Sequence, residues 1–500
     1  MNPSCLARAF VVALATFAAA SRASGELNGF RVKQETAARK ELARGRLARA
    51  VPQGAEDAQG LLFPAPAGWR HERLEFPLEF AHELEFRGYE DLAFAPGMFA
   101  PDSDSYFSYA LALRLEGDVP VDEAWLARFL ETYYRGLCRA VAAERGIELD
   151  TQAIRARARR AGGLFRATVA MFDPFTTGEA LDLELELSWH AAPRATELLG
   201  LASPLARDAP IWDELRAIAE AWRAVRPAPV FLNHVYAVVD RETYDALRGS
   251  SFLRETFAVS EERETVRADL TYSGLYFYGQ RTYFEFLPPT AAAGLAEGNT
   301  GLALGVESED GLDDLARRLE EHGVKTRLGP ISRQLGDEQV PWFRILGVEM
   351  PPSRLNVFAL EYDRRFLAKW QPDLPPLESA GKGSERAAVL ERYAAALERS
   401  PLRASAPFAD VTEVELALDE AQRERLLAAC AAAGHEIEVG ADAWTCHGPQ
   451  FRLVLRRSAD PGGVTGFVAS LSRPIEHEPL ELGRIRLSFQ GAAATLVLRR

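Results

Sequence analysis

Cysteine is scarce, four in 500 residues, with no Cys-x-x-Cys and no Cys/His cluster. That excludes a disulfide-stapled scaffold and a zinc-ribbon type of site. Beyond the N-terminus no apolar run approaches the 18 residues that would begin to suggest a membrane span. Positive charge is in deficit: 58 Lys and Arg stand against 72 Asp and Glu, a net charge of −14. The chain as a whole therefore repels phosphate backbones and anionic lipid, and no nucleic-acid partner is expected. A Gly-x-Ser-x-Gly elbow, a Walker loop, a His-Glu-x-x-His helix and a dinucleotide fingerprint are all missing. What remains is an ordinary globular composition, 47% hydrophobic and 26% charged, long enough for two to four domains.

The first residues read as an address. Arg8 is followed by a 12-residue apolar run, Ala9 to Ala20 (AFVVALATFAAA), that ends in small residues. This is too short for a hydrocarbon core that needs about 20 residues, and it fits a secretory signal peptide. Residues 1–24 are expected to be removed, leaving a periplasmic or extracellular protein with no membrane attachment. Residues 25–60 hold a charged helix near Glu35 to Arg49 and a linker, VPQGAEDAQG. Three cysteines stay in the mature chain, Cys138, Cys430 and Cys446; the odd count allows one bridge, between Cys430 and Cys446, and leaves open whether it forms.

Residues 61–226 read as an α+β domain. In Tyr109-Ala-Leu-Ala-Leu-Arg-Leu and Leu181-Asp-Leu-Glu-Leu-Glu-Leu the apolar residues recur every second position, the period of a strand. Further strands are expected at Arg73 to Phe80 and Leu84 to Phe94. Val121 to Glu144 has helical spacing with Asp122 placed to start it, and Trp212 to Trp222 forms a second helix. The expected arrangement is an antiparallel sheet with helices on one face. Arg155 to Arg160 (RARARR) is read as the solvated face of a helix.

The C-terminal half contains a repeat. Asn233-HVYAVVD-RETYDALR, Thr300-GLALGVE-SEDGLDDLARRL and Thr412-EVELALD-EAQRERLLAAC each run from a strand through an acid into a helix. They align on Asp240, Glu307 and Asp419, and short strands follow each helix. This is a βαβββ unit: two copies at 227–375, a helical linker at 376–407, and a third copy with a degenerate, helix-less partner at 408–500. The fold class is therefore α+β throughout.

A βαβββ unit duplicated in tandem resembles the glyoxalase/bleomycin-resistance/dioxygenase superfamily, the vicinal oxygen chelate fold. The stretch from Asn233-His-Val-Tyr through Tyr283-Phe-Glu-Phe-Leu and Val357-Phe-Ala-Leu-Glu-Tyr is also similar to an uncharacterised glyoxalase-like family of secreted bacterial proteins. The resemblance implies a cleft whose metal ligands come from the first and last strand of each unit. Carried over by position, these fall on His234, Glu285 and Glu361, with Gly301 at the fourth place. Gly301 has no donor, so the four-ligand pattern is broken and one side is left open; one His and two carboxylates would suit a divalent Mn, Fe or Zn ion. Without a metal, the two acids in the apolar strands FEF and ALEY need another partner, such as Arg281 or Arg344.

Three readings of function follow. The first is a cleft that binds a small molecule, lined by Tyr236, Tyr276, Tyr278, Trp342 and Phe343, with or without the metal. The second is a metal-dependent lyase, isomerase or dioxygenase. The third is a secreted interaction protein that binds through its N-terminal domain. The sequence alone leaves open whether the protein is an enzyme.

Overall fold

The structure, a computed structural model, describes residues 60–161, 163–266, 271–289, 295–308, 310–363, 366, 385–459 and 462–499. The expected leader, the helix at 35–49 and residues 376–384 of the expected linker lie outside the described residues. The chain is mixed α/β and strand-rich, and it parts into two compact units with the boundary at Arg226–Pro227.

The first unit is built on one antiparallel sheet of β1 (Arg70–Glu75), β2 (Gly88–Phe94), β3 (Tyr109–Glu116), β4 (Arg155–Ala161), β5 (Leu164–Phe172), β6 (Ala180–Ala192) and β7 (Ala195–Ser203) in the order 1-2-3-7-6-5-4. Helix α1 (Glu123–Arg145) starts where Asp122 accepts a hydrogen bond from the Trp125 amide, and it ends on Gly146 in the left-handed region. Its stripe of Leu126, Phe129, Leu130 and Tyr133 packs with Leu92, Leu111 and Leu113. Helix α2 (Ile211–Ala224) instead packs Trp212, Leu215 and Trp222 with Ala93, Ala110 and Ala112. Successive strand residues point to opposite faces, so the helices lie one on each face, not both on one. The reason is visible in β2 and β3: large residues alternate with alanines, and both faces are apolar. RARARR is also corrected. It forms the edge strand β4, whose Arg155, Arg157 and Arg159 are exposed while Ala156 and Ala158 turn inward. Charge along an edge discourages pairing with another chain.

The second unit contains two eight-stranded sheets. The first holds β8 (Phe231–Val238), β9 (Val259–Val266), β10 (Thr271–Tyr278), β11 (Tyr283–Leu287), β12 (Thr300–Gly305), β13 (Thr326–Leu335), β14 (Glu338–Val348) and β15 (Leu355–Tyr362), in the order 13-14-15-12-8-11-10-9. Helix α3 (Arg241–Gly249) follows β8 and α4 (Gly311–Glu321) follows β12, so two βαβββ units meet where β8 and β12 pair antiparallel. After α5 (Arg386–Ala396) and α6 (Ser400–Ser405) comes the second sheet: β16 (Phe408–Leu418), β17 (Glu436–Val439), β18 (Ala443–Gly448), β19 (Phe451–Arg457), β20 (Gly463–Leu471), β21 (Leu480–Leu482), β22 (Ile485–Gln490) and β23 (Ala493–Leu498), with α7 (Glu420–Ala432) after β16. Its order is 17-18-19-16-20-23-22-21. In the three units with a helix, the first and last strands run parallel. In the fourth, β20 and β23 run antiparallel, because a parallel return needs the crossover that the missing helix would provide.

One core joins the two sheets, with Leu247 of α3, Leu315 of α4 and Leu426 of α7 packed among Phe284, Leu302, Leu416 and Leu453. The described residues from Pro227 onward, with Ala191–Arg194, group as one compact unit. Arg386 secures α5 within it: its guanidinium reaches Glu307 at 2.8 Å, the Leu232 carbonyl at 2.6 Å and Gln450 at 2.8 Å. All three described cysteines are buried free thiols. Cys446 hydrogen-bonds the Cys430 thiol and, with burial, holds its proton well above the ordinary range.

The first unit carries a charge-sensitive spot. Glu90 is fully buried, accepts one hydrogen bond from the Tyr133 hydroxyl at 2.8 Å and leaves Oε2 without a partner. Burial pushes its carboxyl up to about 8. A raised folded-state value stabilises the fold fully below the unfolded value near 4.5, and the contribution is lost as pH rises toward 8. Urea unfolding of the full chain should therefore show stability falling from pH 5 to pH 8.5, with a shallower fall in Glu90→Gln. Equal slopes in the two proteins would remove Glu90 as the cause.

Candidate binding cleft

The pairing of β8 with β12 sets the geometry. His234 lies opposite Ala303 and Tyr236 opposite Gly301, the reciprocal pairs expected when two like units meet about a local twofold. The register slips by one residue at Asn233. A bulge of this kind re-aims side chains, and here the Asn233 amide oxygen accepts from His234 Nδ1 at 2.8 Å. With Nδ1 carrying the proton, Nε2 presents a lone pair. The ring stacks on Tyr283 at 4.3 Å between centroids and meets the edge of Phe358 at 5.7 Å. Burial lowers its pKa to about 3, so the imidazole is neutral.

Glu285 sits beside Tyr236 across the parallel β8–β11 pair. It is 7% exposed, with His234 Nε2 3.9 Å from Oε1. The Tyr276 hydroxyl leans toward it without closing a hydrogen bond of standard geometry. Burial raises the carboxyl to about 7, against the lowering charge of Arg263. Arg263 itself is paired with Glu261 at 2.6 Å and with the Tyr278 hydroxyl at 3.1 Å, its guanidinium lying 4.1 Å from the centre of the Tyr276 ring.

These groups open into a cavity of about 280 Å³ on the face of the sheet away from α3 and α4. His234, Tyr236, Tyr276, Glu285, Trp342 and Phe343 all line it. So do Arg263, Tyr272, Tyr283, Asn356, Phe358, Leu360 and Tyr362, which the sequence reading missed. The signal was present in β15, where Asn356, Phe358, Leu360 and Tyr362 recur at the strand period. Tyr278 is not part of the lining; it stacks on Tyr393 of α5 at 5.3 Å. The Trp342 indole N–H is buried without an acceptor.

The three-ligand metal set is corrected by the same registers. Ala303, the counterpart of Tyr236, pairs with Phe358 as Tyr236 pairs with Glu285. The second unit's equivalent of Glu285 is therefore Phe358, not Glu361. Glu361 falls between Leu360 and Tyr362, so it points to the other face. There it accepts from the Leu312 amide at 3.2 Å and lies 3.7 Å from Arg344. It caps α4, whose own Asp310 makes no side-chain cap, whereas Asp240 and Asp419 cap their helices directly. Arg281, the other partner considered, pairs with Asp410.

The fourth position is not open. A side chain at Gly301 would meet the Tyr236 ring at 1.8 Å, so the aromatic ring already fills that space. His234, Glu285, Gly301 and Phe358 thus stand at the four equivalent positions, with one nitrogen and one carboxyl among them. No group of three or more potential ligands occurs among the described residues. This donor set does not fit a resident divalent ion, which takes at least three protein ligands in catalytic sites of this kind.

Residues 232–497 match the model of a family described as "Family of unknown function (DUF5829)". That is just over half of the chain, and the protein belongs to this family. No curated protein matches it. Among solved structures, the fold is similar to a hypothetical protein from Staphylococcus aureus (10% identity, 46% of this chain and 87% of that one, TM-score 0.31). It is similar also to the Mn(II)-bound glyoxalase from Novosphingobium aromaticivorans (11%, 48% and 65%, 0.27) and to the 2,3-dioxygenase LapB from Pseudomonas sp. KL28 (11%, 46% and 93%, 0.18). The chain spans just under two thirds of the glyoxalase. The last two are glyoxalase- and dioxygenase-type folds; at these scores the likenesses carry no argument about the site.

If Glu361 is a helix cap, Glu361→Ala should cost about 1–2 kcal/mol in denaturant unfolding. It should leave ligand binding in the cleft within experimental error of wild type. Loss of binding from a protein of unchanged stability would return Glu361 to the site.

Proposed function

We propose that this protein is an exported small-molecule binder of glyoxalase-like architecture, and that its cleft works through side chains and not through a resident metal. The observation that carries the reading is the cavity itself. Aromatic rings from β8, β10, β11, β14 and β15 enclose it, and the neutral His234 and the carboxyl of Glu285 are placed at its wall. A mostly apolar concavity with a few convergent polar groups is what a small organic ligand requires. The duplicated βαβββ pairing supports placement in the vicinal oxygen chelate superfamily. The donor set argues against the metal-dependent chemistry of the second reading.

Export is proposed from the 12-residue apolar run alone. Intact mass of the protein from its native host should show loss of about 20–24 residues; a full-length product overturns it.

The cleft is tested with N-phenyl-1-naphthylamine, a neutral aromatic fluorophore. Saturable one-to-one binding is expected. Ile345→Trp, a substitution at a half-buried lining position that fills the cavity, should weaken it by at least about ten-fold. Equal binding by wild type and Ile345→Trp would place the probe elsewhere and overturn the reading.

A further inference from the structure

The polar groups at the cleft wall have a particular imbalance. Glu285 is buried, and no guanidinium or ammonium stands within ion-pair distance of it among the described residues. Arg263, the cation that faces the same cavity, is already engaged by Glu261 at 2.6 Å. His234 adds no positive charge, because its single proton is held on Nδ1 by Asn233 and its Nε2 offers only a lone pair. The two cavity-facing groups are therefore both acceptors once Glu285 is ionised, 3.9 Å apart, a gap that a donor placed between them would bridge.

A hydroxyl ligand has one proton to give and no charge. A primary or secondary ammonium has two or three N–H donors and the positive charge that Glu285 lacks. The walls add a second preference, since the rings of Tyr236, Tyr276, Trp342 and Phe358 line the cavity, and aromatic rings attract a cation that reaches their faces. The rest of the cavity is mostly apolar, with Asn356 and tyrosines among its lining, and of a size for one aromatic ring with a short side chain.

We infer that the cleft selects an arylalkyl ammonium ion, its N–H groups bridging Glu285 and His234 Nε2 and its ring lying among the aromatic side chains. The inference rests on the cleft-binding reading above and specifies its ligand class.

The test compares 2-phenylethylammonium with 2-phenylethanol, which differ only at the terminal group, by calorimetric titration of the full chain at pH 8. The ammonium should bind at least about ten-fold more tightly than the alcohol. In Glu285→Gln, which keeps the side-chain volume, the ratio of the two affinities should fall to about two or below. Ile345→Trp should weaken both ligands together. The inference is overturned if the alcohol binds as tightly as the ammonium to wild type, or if the preference survives in Glu285→Gln. It is overturned also if neither phenylethyl ligand binds while the naphthylamine fluorophore does, a result that leaves the cleft reading standing. Failure of the fluorophore as well would remove both. The wild-type comparison decides the matter even where the glutamine variant does not fold.

Discussion

Tyr236 lies across the main chain at Gly301, in a space that no other residue type at 301 would leave free. Much of the cleft's character depends on this one cross-strand contact. It closes the side of the cleft that a second first-strand donor would occupy, and it turns a phenol into a wall. The Tyr236 hydroxyl receives the Asn356 amide from β15 at 3.4 Å, so the ring also ties the two βαβββ units together. A glycine inside a strand commonly marks a close approach of this kind.

The two acids that looked alike in sequence have opposite uses. Glu361 is half-buried and well partnered, with a helix amide and a guanidinium. It is a structural carboxylate whose desolvation, the stronger effect, is partly offset by the Leu312 amide at the α4 N-terminus and by Arg344. Glu285 is more deeply buried and less satisfied. Groups left in that condition are retained where a ligand completes them, or else they cost stability for no return. The same contrast separates Glu285 from Glu90 in the first unit, whose carboxyl accepts a hydrogen bond from the Tyr133 hydroxyl.

Much of the architecture was legible in the sequence. The three strand–acid–helix segments were visible because strand length and helix phase repeat together, and the helix-less fourth unit showed as strands without a 3.6 period. Asp122, Asp240 and Asp419 could be read as helix starts because capping chemistry is local. Register was not legible. Glu285 and Glu361 each sit in an apolar strand near the end of a unit, and only the ladder reveals that Phe358 is the true counterpart. Nor could the sequence show that Gly301 is filled from a neighbouring strand. RARARR was misread because alternating Arg and Ala fits a helix by propensity and a strand by period, and the tertiary position on a sheet edge decided between them.

The central claim is that two donors and two filled positions make an organic-ligand cleft and not a metal centre. Elemental analysis of protein purified from its native host without chelators, followed by titration with Mn²⁺ and Zn²⁺, tests this most directly. The account predicts well under one equivalent of bound metal and no saturable uptake that depends on His234. One equivalent of a divalent ion in the wild type, lost in His234→Ala with the fold intact, would contradict it.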